Sequence, residues 1–260
     1  MDIFNWKLIK KIVSLIIITG ALWIGATSIV LAEDSTHWGY GGSENPTQWS
    51  SLSKNFALCE LGKSQSPINI TNSYVISGNQ DQIEFNYLPS SLEIINNGHT
   101  IQVNYDKGSS VTINGEKYEL VQFHFHTPSE HNINSKAYAM ELHLVHRNAS
   151  GTLAVVGVMI QNGRANPLIA EIWGNIPAIK TTKLVSDRQI NVSELLPMSR
   201  AYYSYDGSLT TPPCSEGVKW NVFAEPITIS EEQIQEFQKL YQVDARPIQS
   251  SNSRLIKLHL

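Results

Sequence analysis

Gln122-Phe-His-Phe-His126 decides the reading of this chain, together with its counterpart Glu141-Leu-His-Leu-Val-His146. Both stretches alternate polar and apolar residues with the period of two that a β-strand imposes. His124 and His126 therefore point to one face, about 7 Å apart along the backbone. Glu141 and His143 share a face on the second stretch, and His146 falls on the other. Two adjacent strands with these faces turned together bring three imidazoles to one place. A single strand histidine is ordinarily a packing or surface residue. An i, i+2 pair with a third histidine on a matching strand is instead a coordination set for catalytic zinc, three neutral nitrogens with a fourth position open.

Outward from these stretches the chain reads as mostly β. Apolar or alternating segments cover Glu93–Asn96, Ile101–Tyr105, Val111–Ile113, Val121–Thr127, Ala139–His146, Leu153–Ile160 and Val218–Ala224. Turn signals separate them at Asn97-Gly98, Lys107-Gly108, Asn114-Gly115 and Ser150-Gly151. Two segments read as helical. Asn166-Pro167 opens a short helix from Leu168 to about Trp173, with Asn166 as cap and Pro167 at the first helical position. Ser230-Glu-Glu-Gln233 has the capping-box pattern, and Ile234, Phe237, Leu240 and Tyr241 then fall on one face. Many strands with few short helices predict one large, sheet-centred domain.

The N-terminus predicts where this domain works. Lys7, Lys10 and Lys11 precede an apolar run from Ile12 to Leu31 that ends in Val30-Leu31-Ala32, the pattern of a secretory signal cleaved after Ala32. The run is long enough that an uncleaved membrane anchor is the alternative. Either way, residues 33–260 are expected outside the cytoplasm, as a periplasmic or extracellular domain. The leader carries three of the 19 basic and one of the 23 acidic side chains, which leaves 16 against 22 and a net charge of about −6. With no basic run, nucleic acid and anionic membrane are poor partners. Two cysteines, Cys59 and Cys214, in an oxidising compartment suggest one structural disulfide; a free buried thiol and metal ligation are the alternatives, and the absence of CxxC spacing disfavours zinc there.

Taken in order, His37-Trp-Gly-Tyr40, Gln65-Ser-Pro-Ile-Asn-Ile70, Asn97-Gly-His99, Gln122-Phe-His-Phe-His126, Ser129-Glu-His131, Glu141-Leu-His-Leu-Val-His146, Ser208-Leu-Thr-Thr-Pro-Pro213 and Asn252-Ser-Arg254 resemble the α-class carbonic anhydrases, in their secreted bacterial-type branch. The resemblance runs from about His37 to Arg254. It implies a central, largely antiparallel twisted sheet of ten strands, with a zinc ion at the foot of a cone-shaped cleft and a C-terminal segment passed through a loop as a shallow knot. It implies reversible hydration of CO2 to bicarbonate and a proton by a zinc-bound hydroxide.

The resemblance also assigns residues. His124, His126 and His143 become the zinc ligands, supported by Gln122 behind His124 and Glu141 behind His143. Thr210 and Glu130 become the pair that orients the hydroxide, since a hydroxyl with a carboxylate behind it has its own proton committed and can only accept from the metal side. Thr211 lines the bicarbonate end. Val145, Val155, Leu209 and Trp220 form the apolar wall for CO2. His99 becomes the proton shuttle, with Tyr40 and Asn97 ordering the water chain and Gln102 at a polar position. Cys59 and Cys214 match the disulfide of secreted members. Asn69, Asn148 and Asn191 head acceptor sequons that matter only in a eukaryotic secretory route.

Two other functions compete. An inactive relative serving as a binding module typically lacks one of the zinc histidines, and all three are present. A different zinc hydrolase, such as an esterase, is disfavoured because neither an HExxH helix nor a GxSxG elbow occurs.

Overall fold

A computed structural model describes residues 36–71, 75–77 and 83–260. The leader expected at residues 1–32 lies outside the described residues. Among the described residues there are fifteen strands: β1 (Asn69–Ile70), β2 (Val75–Ser77), β3 (Glu84–Asn86), β4 (Ser90–Asn96), β5 (Ile101–Asn104), β6 (Ser110–Ile113), β7 (Glu116–His126), β8 (Asn132–Ile133), β9 (Met140–Arg147), β10 (Leu153–Asn162), β11 (Thr181–Ile190), β12 (Tyr202–Ser208), β13 (Glu216–Phe223), β14 (Ile227–Ile229) and β15 (Ile256–His259). The same residues form four short α-helices: α1 (Trp49–Leu52), α2 (Leu58–Leu61), α3 (Pro167–Trp173) and α4 (Glu231–Gln238).

One twisted sheet of 13 strands organises the domain, and its continuous path has the expected ten, in the order β11-β4-β5-β7-β9-β10-β13-β12-β15-β2. Most neighbours are antiparallel; β10–β13, β10–β14 and β15–β2 are parallel. Strand β15 sits between β12 and β2, antiparallel to the first and parallel to the second.

The central strands are buried on both faces, and each face packs a different core. On one side Phe123 and Phe125 of β7 and Leu142 and Leu144 of β9 join Leu168, Ile169, Ile172, Trp173, Ile234 and Phe237 of α3 and α4. Each such side chain, fully buried, contributes about 1.5–3 kcal/mol. On the other side a smaller cluster holds Val155, Trp220, Tyr205 and Val222.

Both helices start as their sequences predict. Asn166 accepts from Leu168 N and Ile169 N at 2.9 and 3.2 Å, and Ser230 and Gln233 form a reciprocal capping box. Gln233 also ties the two helix starts together, accepting from Asn166 N at 3.0 Å and donating to Asn166 O at 2.7 Å. α4 ends at Gln238, so Leu240 does not join Ile234 and Phe237 in the core and is 47 % exposed.

The strand β7 begins five residues before the expected Val121. Its register shifts between Leu120 and Gln122, a bulge that leaves Val121 exposed. Tyr118 and Leu120 face the larger core before the bulge, and Phe123 and Phe125 face it afterwards. The parity of the alternation therefore changes at Val121, which hides the first half of the strand from a period-two reading.

Candidate metal centre

The cross-strand register assembles the site. His124 of β7 lies directly opposite His143 of β9, His126 opposite Glu141, and Gln122 opposite Val145. The three histidine rings stand 5.0, 5.3 and 4.7 Å apart, centroid to centroid. One ring nitrogen from each lies within 4.8 Å of the others.

The hydrogen bonds behind the rings fix which nitrogens these are. Gln122 Oε1, the Asp244 carbonyl and Glu141 Oε1 can only accept. His124 Nδ1–H donates to Gln122 at 2.8 Å, His126 Nδ1–H to Asp244 O at 2.7 Å, and His143 Nε2–H to Glu141 at 2.9 Å. Nε2 of His124, Nε2 of His126 and Nδ1 of His143 are thereby left as lone-pair donors. His126 Nε2 is buried without a hydrogen-bond partner, and so is Glu130 Oε2, which lies 3.6 Å from it and 3.9 Å from His143 Nδ1. Buried polar atoms are ordinarily satisfied, so this convergence of unsatisfied atoms fits a cation.

Electrostatics agree. Burial, then the neighbouring His126 and His143, hold His124 well below the ordinary histidine value. Burial also lowers His143, and there it outweighs the attraction of Glu141. On His126 burial acts downward, but the carboxylates of Glu130 and Asp244 outweigh it and the net direction is up. Against its own burial, Glu141 is held well below the usual carboxylate range by His131 and His143. An ionised carboxylate behind a neutral imidazole is the arrangement that makes a histidine a good metal ligand.

A cleft of about 130 Å³ is lined by His124 and His126 together with Thr100, Gln102, Tyr40, Asn97, His99, Trp38 and Thr211. Gly98, at φ +90°, makes the turn before His99, and Asn97 Oδ1 closes it by accepting from His99 N and Thr100 N at 2.8 and 2.9 Å. His99 is half-buried and stacked on Trp38, with ring centroids 3.9 Å apart. Burial lowers its pKa, and His37 and Lys180 lower it further, against an opposing Glu44.

Val155 and Trp220 are buried in one cluster, with Val145 and Leu209 packed against it, and the Trp220 ring lies 4.8 Å from that of His143. Thr210 and Glu130 are both buried, 5 % and 1 % exposed. Among the described bonds Glu130 Oε1 is held by Arg246 N–H at 2.8 Å, and none joins it to Thr210. Cys59 and Cys214 form a disulfide, which settles the three alternatives the sequence left open for them.

Several residues around the triad carried no role in the sequence reading. His131 Nδ1–H donates to Glu141 Oε1 at 2.8 Å, and its Nε2 lies 2.6 Å from the Tyr205 hydroxyl, so Glu141 is held from behind as well as by His143. Asp244 accepts from Thr127 N at 2.6 Å besides supporting His126. His131 stood inside a quoted motif and was visible; Asp244 and Arg246 sit in irregular backbone more than a hundred residues away, where no periodicity marks them.

Three histidine nitrogens on the face of a β-sheet, beside a cleft that a fourth histidine also lines, form a site that could hold a metal ion. The profile of the eukaryotic-type carbonic anhydrases matches residues 44–259. The carbonic anhydrase of Pectobacterium atrosepticum is 44 % identical over 237 residues, covering 91 % of this chain and 96 % of that one. Among solved structures, a hyperthermostable carbonic anhydrase from an active hydrothermal vent chimney superposes with a TM-score of 0.83 at 44 % identity, over 86 % of this chain and all of the other. The α-carbonic anhydrase of Thermovibrio ammonificans, in complex with the inhibitor sulfanilamide, gives 0.82 at 40 % identity over 86 % and 99 %. The chain belongs to the eukaryotic-type carbonic anhydrase family and is an enzyme of it, with carbon dioxide and bicarbonate as its small-molecule substrates.

Proposed function

We propose that the chain hydrates carbon dioxide with one zinc ion held by His124 Nε2, His126 Nε2 and His143 Nδ1, and that His99 carries the released proton to solvent. The observation that carries this reading is the hydrogen bond behind each ring, which leaves those three nitrogens, and no others of the triad, free to coordinate. Zinc, when bound there, supplies the Lewis acidity that turns water into a nucleophile near neutral pH, the behaviour for which carbonic anhydrases are the standard example.

The chain's own residues do the rest. Gln122, Glu141 and the Asp244 carbonyl hold each imidazole in one tautomer and one orientation. Thr210, with Glu130 behind it, accepts a proton-bearing group at the fourth position and so selects ligands that can donate. Val145, Val155, Leu209 and Trp220 keep one side of that position dry for an apolar substrate. Thr211 lines the bicarbonate side. Tyr40, Asn97 and Gln102 present polar groups to the cleft between the ligands and His99, a path for a proton through water. His99 takes that proton at its ring; its lowered pKa favours handing it on to buffer.

Residues 1–32 direct export and are removed, leaving residues 33–260 as the working domain. The disulfide, which needs an oxidising compartment, supports this reading. N-terminal sequencing of exported material tests it: the chain is expected to begin at Glu33, and a start at Met1 contradicts cleavage. Zinc content and CO2 hydration of the purified protein, with and without chelator, test the metal assignment; full activity in metal-free protein contradicts it.

A further inference from the structure

Thr210 and Glu130 come from segments 80 residues apart, and no described hydrogen bond joins them directly. They are joined by another route. Glu130 Oε1 accepts from the backbone N–H of Arg246. The guanidinium of Arg246, 2 % exposed, donates from Nη1 to Gln65 Oε1 at 2.9 Å and to Ser66 O at 2.8 Å, and from Nη2 to Cys59 O at 2.7 Å. Because Arg246 occupies its carbonyl end, the amide of Gln65 has only one possible orientation, and its Nε2 donates to Cys214 O at 3.1 Å and to Glu216 Oε1 at 3.0 Å. Cys214 closes the turn that carries Thr210: Cys214 N donates to Thr211 O and Leu209 N to Ser215 O, both at 2.9 Å. The amide is 4 % exposed and tightly framed. A Cβ added at Gly62 would lie 2.3 Å from Gln65 Nε2, so glycine there leaves the amide its place.

We propose that Gln65 is a positioning residue for the Thr210–Glu130 pair: its amide, locked between the Arg246 guanidinium and the Cys214 carbonyl, sets the spacing of the Thr210 turn relative to Glu130. The inference rests on the reading of Thr210 and Glu130 as a donor-selecting pair. An O–H···O bond tolerates only about 2.5–3.0 Å between oxygens, so two segments meeting from opposite parts of the chain need a rigid brace between them. The disulfide ties the same turn through the side chain of Cys214, whereas Gln65 holds its backbone carbonyl. A purely structural glutamine would lower stability and weaken every ligand alike. A positioning glutamine discriminates between ligands.

Zinc-loaded protein provides the test, with sulfanilamide, which keeps an N–H to donate, and azide, which has none. In Gln65→Leu the ratio of sulfanilamide to azide affinity is expected to fall about tenfold at unchanged zinc content. Amide exchange at Leu209 and Cys214 is expected to speed up. Gln65→Glu keeps the acceptor for Arg246 and loses the donor to Cys214, so it should show the same fall even if the leucine variant folds poorly. Thr210→Ala is the reference and should lower the ratio at least as far. A ratio that stays at the wild-type value in both Gln65 variants, while Thr210→Ala lowers it, overturns the role of Gln65 alone. A ratio unmoved in Thr210→Ala overturns the donor-selecting pair, and the inference with it.

Discussion

His143 and His146 lie three residues apart on β9, and both are buried, 1 % and 0 % exposed. They face opposite sides of the sheet. On His146 both nitrogens are used: Nδ1–H donates to the Ala154 carbonyl at 3.3 Å, and Nε2 accepts from the Tyr87 hydroxyl at 2.8 Å. On His143 one nitrogen is held by Glu141, and the other is left facing His124, His126 and Glu130. The two residues share type, strand and burial. What separates the structural histidine from the proposed metal ligand is one uncommitted lone pair, placed where two others converge.

Substitution should break this comparison unevenly. His143→Ala removes a proposed ligand and is expected to abolish nearly all CO2 hydration and most bound zinc; a CO2 hydration assay with metal analysis checks both. Full activity with stoichiometric zinc in that variant would remove His143 from the site.

His99 sharpens the contrast from the accessible end of the cleft. His99→Ala should lower kcat by about 100-fold in weak buffer with far less effect on kcat/KM, because proton release follows the step on CO2. Imidazole-type buffers at high concentration should restore much of the loss. A parallel fall in kcat and kcat/KM, without buffer rescue, would make His99 a structural residue like His146.

The smallest effect on activity belongs to His146 itself. Burial lowers its pKa to about 4, below the 6.5 of an exposed histidine. Above pH 6.5 neither folded nor unfolded chain holds the proton, and the group adds no pH dependence. As pH falls from 6.5 towards 4, the unfolded chain gains the proton and the folded one does not, so stability falls, by about 3 kcal/mol in all. Protonation would also turn Nε2 into a donor facing the Tyr87 hydroxyl. His146→Gln should therefore keep its zinc and its activity at neutral pH, and lose stability less steeply on acidification. Urea midpoints at pH 7 and pH 4.5 measure this; equal acid slopes in wild type and variant would contradict the buried neutral state.

The proposed ligands were legible because a strand exposes its faces with period two, and Gln122, His124, His126, Glu141 and His143 all sit on that period. The apolar wall was legible only through resemblance, since a strand valine such as Val155 looks like any core residue until its neighbours are known. Other features were hidden for physical reasons. The bulge at Val121 reverses the alternation within β7. The edge strand β11 is exposed along most of its length and carries no apolar alternation. β12 reads Tyr-Tyr-Ser-Tyr-Asp-Gly-Ser, and its Asp-Gly step looks like a turn. Asp244 and Arg246 act on His126 and Glu130 across separations of 118 and 116 residues, from backbone with no repeating pattern.

A free lone pair, and not burial or residue type, is what the proposed metal site requires. Equilibrium dialysis of zinc against wild type, His143→Ala and His146→Gln, side by side at neutral pH, tests it most directly. One tightly held zinc per chain is expected in wild type and in His146→Gln, and almost none in His143→Ala. Equal zinc in all three proteins, or loss of zinc from His146→Gln alone, would contradict it.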